Sequence, residues 1–478
     1  MSVRPPTVAD GPVVIVGAGV TGLSIAQFLA EAGVEVVVVE RLGAPGGLAR
    51  SFRYDAFVFD VGPHRFHTSN PHVTTWLDRV LGEDKVSFPR HSEVFFHGRY
   101  YRWPLKPQEL VRLPPTIAAR SGLDLALNTF RTYRIDSFEE YILRQYGPTL
   151  YAHFFRDYTE DFLGLHPRDT HPDWAKAGIN RAIIDDKLEM QNLSQLLKST
   201  LLQFGKSEID FLYPRGGMSV IWERLVARLE AGGVRILLGT PAHLVARGNR
   251  VVAVHAGEDR IRPSVVIWTG PIGTAAAQLG LPATRLDYRS LVLYNVMLEG
   301  DVPRRYQWCY YGEKDFVFSR ISAPRFFHEA TCPPGTTGLC VEVTCQEGDH
   351  RWQQAERLTD WVVEDLVRVR MLPDRRLVRD VRIERICDAY PIYHKDYPAD
   401  LERTTRAFAL FDNLHMAGRC GTFWYNNMDH CVEAAFDLTR RLLFEAGIQS
   451  DEAALAAGPS DLGDRAHLAD PVRSAAPL

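Results

Sequence analysis

The sequence predicts an α/β protein with a Rossmann-like dinucleotide-binding domain, a helical insert, and a domain built on a mostly antiparallel β-sheet. Three observations predict this class. Residues 13–40 have the order strand, tight turn, helix, strand. Residues 107–205 show amphipathic helical spacing with few strand runs, and residues 288–390 hold several runs of alternating apolar and polar residues. These changes of pattern along the chain indicate separate structural units.

The first unit begins with an apolar run, residues 13–16, followed by a glycine-rich turn at residues 17–22. A periodic apolar segment then leads to a second apolar run, residues 36–39, which ends at Glu40. This is the order of elements in a βαβ unit. A glycine motif alone is a weak signal, but strand, turn, helix, strand and acid in this order predict a dinucleotide site.

Each residue of the motif has a physical task in such a site. Gly17 permits a tight turn, Gly19 lets the backbone approach a pyrophosphate, and Gly22 permits close contact between helix and strand. The helix N-terminus faces the phosphates with free amides and the positive end of its dipole. Glu40 is placed to accept hydrogen bonds from a ribose diol.

Composition and charge exclude several classes of function. The net charge of −4 argues against a nucleic-acid partner, because such binding needs an excess of Lys and Arg on one face. The seven cysteines include no Cys-x-x-Cys pair, so we expect neither a metal site nor a disulfide framework, and a cytoplasmic location fits them. No apolar run approaches the roughly 18 residues of a membrane span, and the first residues lack the apolar core of a signal peptide.

The predicted units are discontinuous along the chain. The dinucleotide-binding domain comprises residues 1–106, 211–287 and 391–446, the helical domain residues 107–210, the substrate domain with its antiparallel sheet residues 288–390, and a tail residues 447–478. The tail is rich in Ala, Asp and Pro and is predicted to be disordered.

Local signals place individual elements within these units. Residues 97–99 are predicted to form the turn of a hairpin between two short aromatic strands. Ser137 and Glu140 form a capping box ahead of a helix. Helices are also predicted over residues 219–231 and about 427–446.

The residues after Glu40 indicate the cofactor through a resemblance. Residues 41–50, Arg-Leu-Gly-Ala-Pro-Gly-Gly-Leu-Ala-Arg, resemble the second glycine pair of the FAD-binding amine-oxidase and mutase superfamily, where the backbone beside the glycines runs along the dinucleotide. Nicotinamide dehydrogenases do not carry this segment. The resemblance therefore implies a tightly bound FAD.

Four further motifs resemble the UDP-galactopyranose mutase family, and they occur in the family's order. They are Gly62-Pro63-His64-Arg65-Phe66-His67-Thr68, Tyr158-Thr159-Glu160 followed by Gly164, Asp287-Tyr288-Arg289-Ser290-Leu291, and Gly418-Arg419 with Tyr425-Asn426-Asn427-Met428-Asp429. The resemblance implies an enzyme that interconverts the pyranose and furanose forms of a nucleotide sugar. In that family N5 of reduced FAD attacks the anomeric carbon and displaces the nucleoside diphosphate.

The resemblance also implies roles for single residues. The expected catalytic residues are His64, Arg289 and Arg419, since fixed guanidinium forks suit a departing diphosphate. Substrate contacts are expected from Tyr158, Arg181, Tyr213, Arg289, Tyr390, Tyr393, Tyr425 and Asn427. FAD contacts are expected from Gly17, Gly19, Gly22, Glu40, Arg41, Gly46, Gly47, Leu48, His64, Ala242, Gly418, Arg419 and Met428. NAD(P)H is the expected reductant.

The chain departs from the mutase pattern at three places. Leu163 stands where the family has Trp, which puts the aromatic platform for the nucleotide base in doubt. No arginine stands at residues 176–178, where the second diphosphate-binding arginine is expected, and Lys176 or Arg181 is the candidate substitute. Asn427 replaces the usual Asp.

Three segments resemble a protoporphyrinogen-oxidase-like sister group that is found beside sugar-pathway proteins. They are residues 99–107, 173–175 and 425–429. This second resemblance leaves the choice of nucleotide sugar open.

Alternatives remain for the whole protein and for single residues. A FAD-dependent oxidase or desaturase, or a protein whose FAD is structural, would carry the same cofactor motifs. Tyr158 could pack in the core, Arg289 could be a surface charge, His64 could be structural, and Tyr213 could belong only to the turn before a helix. The oligomeric state is open, with a homodimer as one expectation.

Overall fold

The computed structural model describes residues 6–103, 112–128, 130–180 and 210–448. Its helices are α1 Val20–Glu31, α2 Pro71–Leu81, α3 Pro115–Asn128, α4 Phe138–Leu150, α5 Arg156–Leu163, α6 Ser219–Ala231, α7 Ile272–Gln278, α8 His350–Gln353, α9 Thr359–Arg368, α10 Tyr397–Phe408, α11 Gly418–Gly421 and α12 Met428–Glu445. The predicted contact residue Arg181 and the predicted tail from residue 449 onward lie outside the described residues.

The strands form two large sheets and three small ones. They are β1 Val13–Val16, β2 Val36–Val39, β3 Ser51–Tyr54, β4 Phe57–Asp60, β5 Lys85–Pro89, β6 Ser92–Phe96, β7 Arg99–Arg102, β8 Asp210–Pro214, β9 Arg235–Leu237, β10 Ala242–Arg247, β11 Arg250–Ala256, β12 Asp259–Ile261, β13 Val265–Trp268, β14 Tyr288–Glu299, β15 Trp308–Tyr311, β16 Arg320–Ser322, β17 Thr336–Cys345, β18 Val378–Pro391 and β19 Leu414–Met416. This mixed architecture confirms the predicted α/β class.

The first large sheet is parallel, in the order β19-β13-β1-β2-β9. All four residues of β1, β2 and β13 are buried, as expected for strands with both faces covered. Residues 21–29 of helix α1 are buried, because the helix lies between this sheet and α12. The Phe28 and Phe436 rings stack there with centroids 4.0 Å apart.

The second large sheet has the order β18-β14-β17-β16-β15-β6-β7. Its pairings are antiparallel except for the parallel pair of β15 with β6. Strands β6 and β7 come from the segment that the sequence assigns to the dinucleotide-binding domain, yet β6 pairs with β15 and β7 forms the edge of the substrate-domain sheet. The predicted domain boundary at residue 106 therefore does not coincide with the edge of this sheet. The pairing of β6 with β15 joins residues more than 200 positions apart along the chain, so no local pattern predicts it.

Two local predictions are confirmed. Strands β6 and β7 form a hairpin that pairs Phe96 with Arg99, and both turn residues, His97 and Gly98, have positive φ, as a two-residue hairpin turn requires. The Ser137 hydroxyl accepts a hydrogen bond from the Glu140 amide, and the Glu140 carboxylate accepts one from the Ser137 hydroxyl. Ser137 thus caps α4 as predicted, and the Glu140 carboxylate accepts from the Asp136 amide at 2.8 Å rather than from the Ser137 amide of a full capping box.

Candidate functional site

A cavity of about 470 Å³ lies at the carboxyl ends of the parallel strands, where doubly wound sheets bind ligands. The turns after β1, β2, β13 and β19 all contribute to its wall, and so does the start of α12. Predicted residues that line it are Gly17, Gly19, Glu40, Arg41, Gly46, Gly47, Leu48, His64, Tyr390, Gly418, Arg419, Tyr425, Asn427 and Met428. The fold thus brings together most of the predicted cofactor residues.

The glycines of this wall leave bare backbone against the cavity. A Cβ on Gly22 would lie 2.0 Å from the Gly17 carbonyl oxygen, so only glycine lets α1 approach β1 this closely. Gly46 has φ of 102°, and a Cβ there would lie 2.4 Å from the Trp222 ring. Gly19 and Gly46 pair in an isolated parallel bridge. The two glycine motifs of the sequence therefore form one continuous backbone cradle.

Glu40 lies at the end of β2, as predicted. Its carboxylate accepts hydrogen bonds from the Ala18 amide at 2.7 Å and the Leu42 amide at 2.8 Å. Glu40 is 7% exposed and lines the cavity. These two bonds fix the carboxylate beside the glycine turn, where a ribose diol of a bound dinucleotide would reach it.

Arg419, Tyr425 and Tyr390 form a stack at another part of the wall. The Arg419 guanidinium carbon lies 4.1 Å from the Tyr425 ring centroid and 5.0 Å from that of Tyr390. The two tyrosine rings are stacked with centroids 5.5 Å apart and an interplanar angle of 19°. Arg419 also donates to the backbone carbonyl of Ala389. A cation held over phenol rings is a suitable neighbour for a negatively charged substrate group.

Arg320 holds the hydroxyl of Tyr390. It donates to both oxygens of the Glu342 carboxylate at 2.6 Å and to the Tyr390 hydroxyl at 2.8 Å. Glu342 is fully buried, so this ion pair is protected from solvent. Burial raises the pKa of Tyr390, which keeps its phenol protonated at neutral pH. The protonated hydroxyl has a fixed position and a proton to donate.

His64 lines the same cavity as a neutral imidazole. Its Nδ1 lies 3.3 Å from the Gly62 carbonyl oxygen. Burial, followed by the charges of Arg419 and Arg320, lowers the pKa of His64 to about 3. The carbonyl places the proton on Nδ1, so Nε2 is left as a hydrogen-bond acceptor.

The N-terminus of α12 completes this part of the wall. Asn427 occupies the N-cap position without a capping bond from its side chain, and Met428 is buried behind it. Next to them, burial and the charge of Glu433 raise the pKa of Asp429 to about 7. The positive dipole end of this 18-residue helix faces the cavity, and the backbone amides of Asp429 and His430 bond to the Asp429 carboxylate.

A second cavity of about 100 Å³ adjoins the first, and Arg320 and Tyr425 line both. Its wall is aromatic and includes Tyr158 together with Phe162, Trp174 and Tyr310. The Phe162 and Trp174 rings are stacked 5.8 Å apart. Leu163, which stands where the mutase family has Trp, is buried in the core, so the aromatic surface here comes from other positions.

Arg289 does not reach either cavity. Its guanidinium donates to the backbone carbonyls of Phe162 and Asp161, both at 3.2 Å, and packs against Gly164 at the end of α5. A cation at a helix C-terminus satisfies unpaired carbonyls and is stabilised by the helix dipole. In the structure Arg289 therefore caps the end of the helix that carries Tyr158.

Other predicted contact residues also lie away from the cavity walls. Tyr213 is fully buried and donates to Asp60 at 2.5 Å. The Tyr393 hydroxyl accepts from the Tyr425 amide at 2.8 Å, so Tyr393 acts on the site through Tyr425. Ala242 pairs with Ala256 in the three-stranded sheet. Lys176 forms an ion pair with Asp173 at 3.1 Å and is largely exposed.

Several side chains of the site are not predicted by the sequence motifs, namely Arg65, Tyr310, Arg320 and Glu342. Arg65 directly follows His64 in the Gly62 to Thr68 motif, so the sequence alone could have indicated that it lies near the site. Arg320 and Glu342 belong to short strands with ordinary alternation. Only the pairing of β16 with β17 shows that they meet.

The geometry of the first cavity defines a class of protein. A bare backbone cradle, an acid at the end of β2 and two helix N-termini along one cavity suit a dinucleotide cofactor with a pyrophosphate and a polar ring system. Among the described residues, no group of three His, Cys, Asp or Glu side chains is arranged to hold a metal ion. In the same part of the chain, no helix is long and apolar enough to cross a bilayer.

Comparison with known families agrees with this class. Residues 20–443 match the family model of flavin containing amine oxidoreductases, and the chain belongs to that family. Membership implies a flavin cofactor, and the cradle described above fits one. The predicted resemblance to flavin-dependent mutases and protoporphyrinogen oxidases is confirmed at the level of family and fold by the relatives that follow.

Two relatives represent different activities. The chain is 27% identical over 163 residues to a UDP-galactopyranose mutase of Klebsiella pneumoniae, covering 33% of this chain and 42% of the relative. It is 26% identical over 314 residues to the carotenoid 3,4-desaturase of Haloarcula japonica, covering 58% of this chain and 59% of the relative. The matched segments span less than two thirds of either relative.

Two solved structures share the fold. A reduced UDP-galactopyranose mutase superimposes with a TM-score of 0.78 at 21% identity, covering 93% of this chain and 97% of the other. A structure named as a protoporphyrinogen oxidase from Exiguobacterium sp. 255-15 gives a TM-score of 0.70 at 20% identity, covering 91% and 99%. At these identities the likeness establishes the fold alone.

Proposed function

We propose that the protein is a flavin-dependent mutase that interconverts the pyranose and furanose forms of a nucleotide sugar. The observation that carries the proposal is the arrangement of Arg419, Tyr425 and Tyr390 beside His64 in the wall of the flavin cavity. Cations and protonated phenols at one end of a cavity suit a diphosphate and the hydroxyls of a sugar.

FAD bound in the cradle would supply, in its reduced form, a nucleophilic nitrogen for the anomeric carbon. The side chains have supporting roles. Arg419 stabilises negative charge on the diphosphate, and Tyr390 donates its proton as a hydrogen bond while Arg320 holds its hydroxyl in place. His64 accepts a hydrogen bond from a sugar hydroxyl at Nε2. The aromatic second cavity keeps water from the reacting carbon.

The alternative is a flavin-dependent oxidoreductase of the desaturase type. The desaturase relative favours it, because its match covers more of this chain than the mutase match does, 58% against 33%. The polar side chains of the cavity wall argue against a long apolar substrate, since burial of guanidinium groups against hydrocarbon is costly.

An anaerobic assay separates the two proposals. The purified protein is reduced under nitrogen and incubated with UDP-galactopyranose and a panel of other nucleotide sugars, and the products are separated by chromatography. The mutase proposal expects a furanose product from the reduced protein and none from the oxidised protein. In a parallel incubation in air, turnover by the oxidised protein alone, coupled to oxygen uptake, would instead establish an oxidoreductase.

A further inference from the structure

Two buried arginines share one tryptophan beside the first cavity. Arg65, which follows His64, has its guanidinium carbon 5.0 Å from the Trp308 ring centroid and 5.1 Å from that of Phe211. Arg90, just after β5, has its guanidinium carbon 5.6 Å from the Trp308 ring. Trp308 itself is 1% exposed. Two like charges therefore lie against the same buried ring.

Neither guanidinium forms an ion pair with any residue of the described part of the chain. Arg65 Nε and both terminal nitrogens of Arg90 are buried without a hydrogen-bond partner. Arg90 Nε alone is used, donating to the Ser92 hydroxyl at 2.9 Å. Buried charged groups in proteins are nearly always paired, and Arg320 with Glu342 shows the usual arrangement in this same sheet.

Within the described chain Arg65 and Arg90 form no ion pair, although Asp429 is close enough for its charge to act on Arg65. Burial and the neighbouring charge of Arg65 lower the pKa of Arg90 to about 10, and burial lowers the pKa of Arg65 as well. Both guanidinium groups interact with the phenol of Tyr310, which lines the second cavity. Arg65 itself lines the first cavity. Arg65 is thus in the wall of the first cavity, while Arg90 lies beside Trp308 and lines neither cavity.

We propose that Arg65 is the contact residue of an oxyanion-binding subsite that takes a carboxylate or phosphate group of the substrate, and that the charge of Arg90 beside Trp308 strengthens this subsite. The inference deepens the proposed function and rests on it, because it needs a polar substrate in the first cavity. Two cations with free donors match the charge and acceptors of one such group. The pyrophosphate of a bound dinucleotide is already accounted for by the N-terminus of α1.

Thermal unfolding of the full-length, FAD-loaded protein tests the subsite without any turnover. The probes are inorganic pyrophosphate, UDP and D-glucuronate, each titrated at constant ionic strength. The variants are Arg65→Met and Arg90→Met, which keep an apolar side chain against Trp308. The matched control is Arg304→Met, because Arg304 also lies over an aromatic ring, 4.2 Å from the Tyr100 centroid, but is exposed and lines neither cavity.

The subsite predicts that Tm of the wild type rises with at least one probe. The concentration needed for half of that rise should increase at least tenfold in Arg65→Met and Arg90→Met and stay unchanged in Arg304→Met. A response to UDP and pyrophosphate identifies a phosphate as the bound group, and a response to glucuronate alone identifies a carboxylate. Arg65→Lys, which keeps the charge, should retain part of the response. It replaces Arg65→Met as the test variant if that protein does not fold.

Equal responses in the wild type and both Met variants would overturn the subsite. So would a lower Tm in the Met variants without probe, combined with unchanged probe affinity, since that result marks the arginines as structural. Failure of the mutase assay is a separate outcome, because anion binding is read in the oxidised protein and does not depend on turnover.

Discussion

The guanidinium carbon of Arg419 lies 4.1 Å from the centroid of the Tyr425 ring, and the Tyr425 amide donates to the Tyr393 hydroxyl. Tyr425 is thus held from two sides, by a cation on its face and by a buried phenol at its backbone. Because the Tyr390 ring stacks on the Tyr425 ring, the positions of these two cavity-lining phenols depend on each other. This cluster is the part of the site where substitutions are expected to be most informative.

Arg419→Lys should lower kcat/KM for the nucleotide sugar by about tenfold or more. Lysine keeps the charge, but it loses the planar stacking on Tyr425 and the fork that bonds to Ala389, which together contribute at least about 1.4 kcal/mol. Steady-state kinetics with the reduced protein measures the change. Arg406→Lys, an exposed arginine paired with Glu402, is the matched control. An unaltered kcat/KM in Arg419→Lys would show that the stack does not contact substrate.

Arg289→Ala should destabilise the protein by about 1.5–3 kcal/mol, because it leaves the carbonyls at the end of α5 without a charged donor. Turnover should fall through displacement of α5, while FAD stays bound. Urea unfolding followed by tryptophan fluorescence gives the free energy. Arg285→Ala, which removes an exposed pair with Asp396, is the control. A large loss of kcat with unchanged stability would instead support the substrate contact that the sequence predicts.

Gly46→Ala should reduce FAD retention and lower stability by about 1–3 kcal/mol from backbone strain alone, since φ is 102° and the new Cβ would meet the Trp222 ring at 2.4 Å. Flavin absorbance per protein after gel filtration measures retention. Gly43→Ala lies in the same loop, has no atom within 4 Å of its added Cβ and should behave as the wild type. Equal flavin content in both variants would contradict the close packing of the cradle.

Asp429→Asn should make the unfolding free energy less dependent on pH. The pKa of Asp429 is raised by burial to about 7, so in the wild type the folded state retains a proton that the unfolded state releases at about pH 4. Between these values stability of the wild type falls with rising pH, by about 1.4 kcal/mol per unit from this group, and then levels off. The variant lacks this loss, so its unfolding free energy relative to that of the wild type should increase from pH 4 to pH 7.

Urea unfolding at pH 5, 6, 7 and 8 measures that difference. Asp315→Asn, which removes an exposed carboxyl, is the comparison and should show no such growth. A constant difference between Asp429→Asn and the wild type across this range would mean that Asp429 is already ionised at pH 5.

The sequence by itself determined the βαβ unit with its dinucleotide motif, the hairpin at His97 and Gly98, and the N-cap of α4. These features depend on steric and hydrogen-bonding rules that act within a few residues, so a linear pattern carries them. The cradle glycines are one case. Gly22 must be glycine because of the Gly17 carbonyl only five residues away, and the spacing of the motif already encodes that contact.

Tertiary structure alone decided which side chains meet at the site. Arg320, Glu342 and Tyr390 come from three strands, and the register of β16 on β17 places the first two side by side. The sequence could identify Arg289 as a motif residue, but the packing of α5 decided that its guanidinium caps a helix. Charge pairs over such distances depend on sheet order and register, and no local pattern encodes either one.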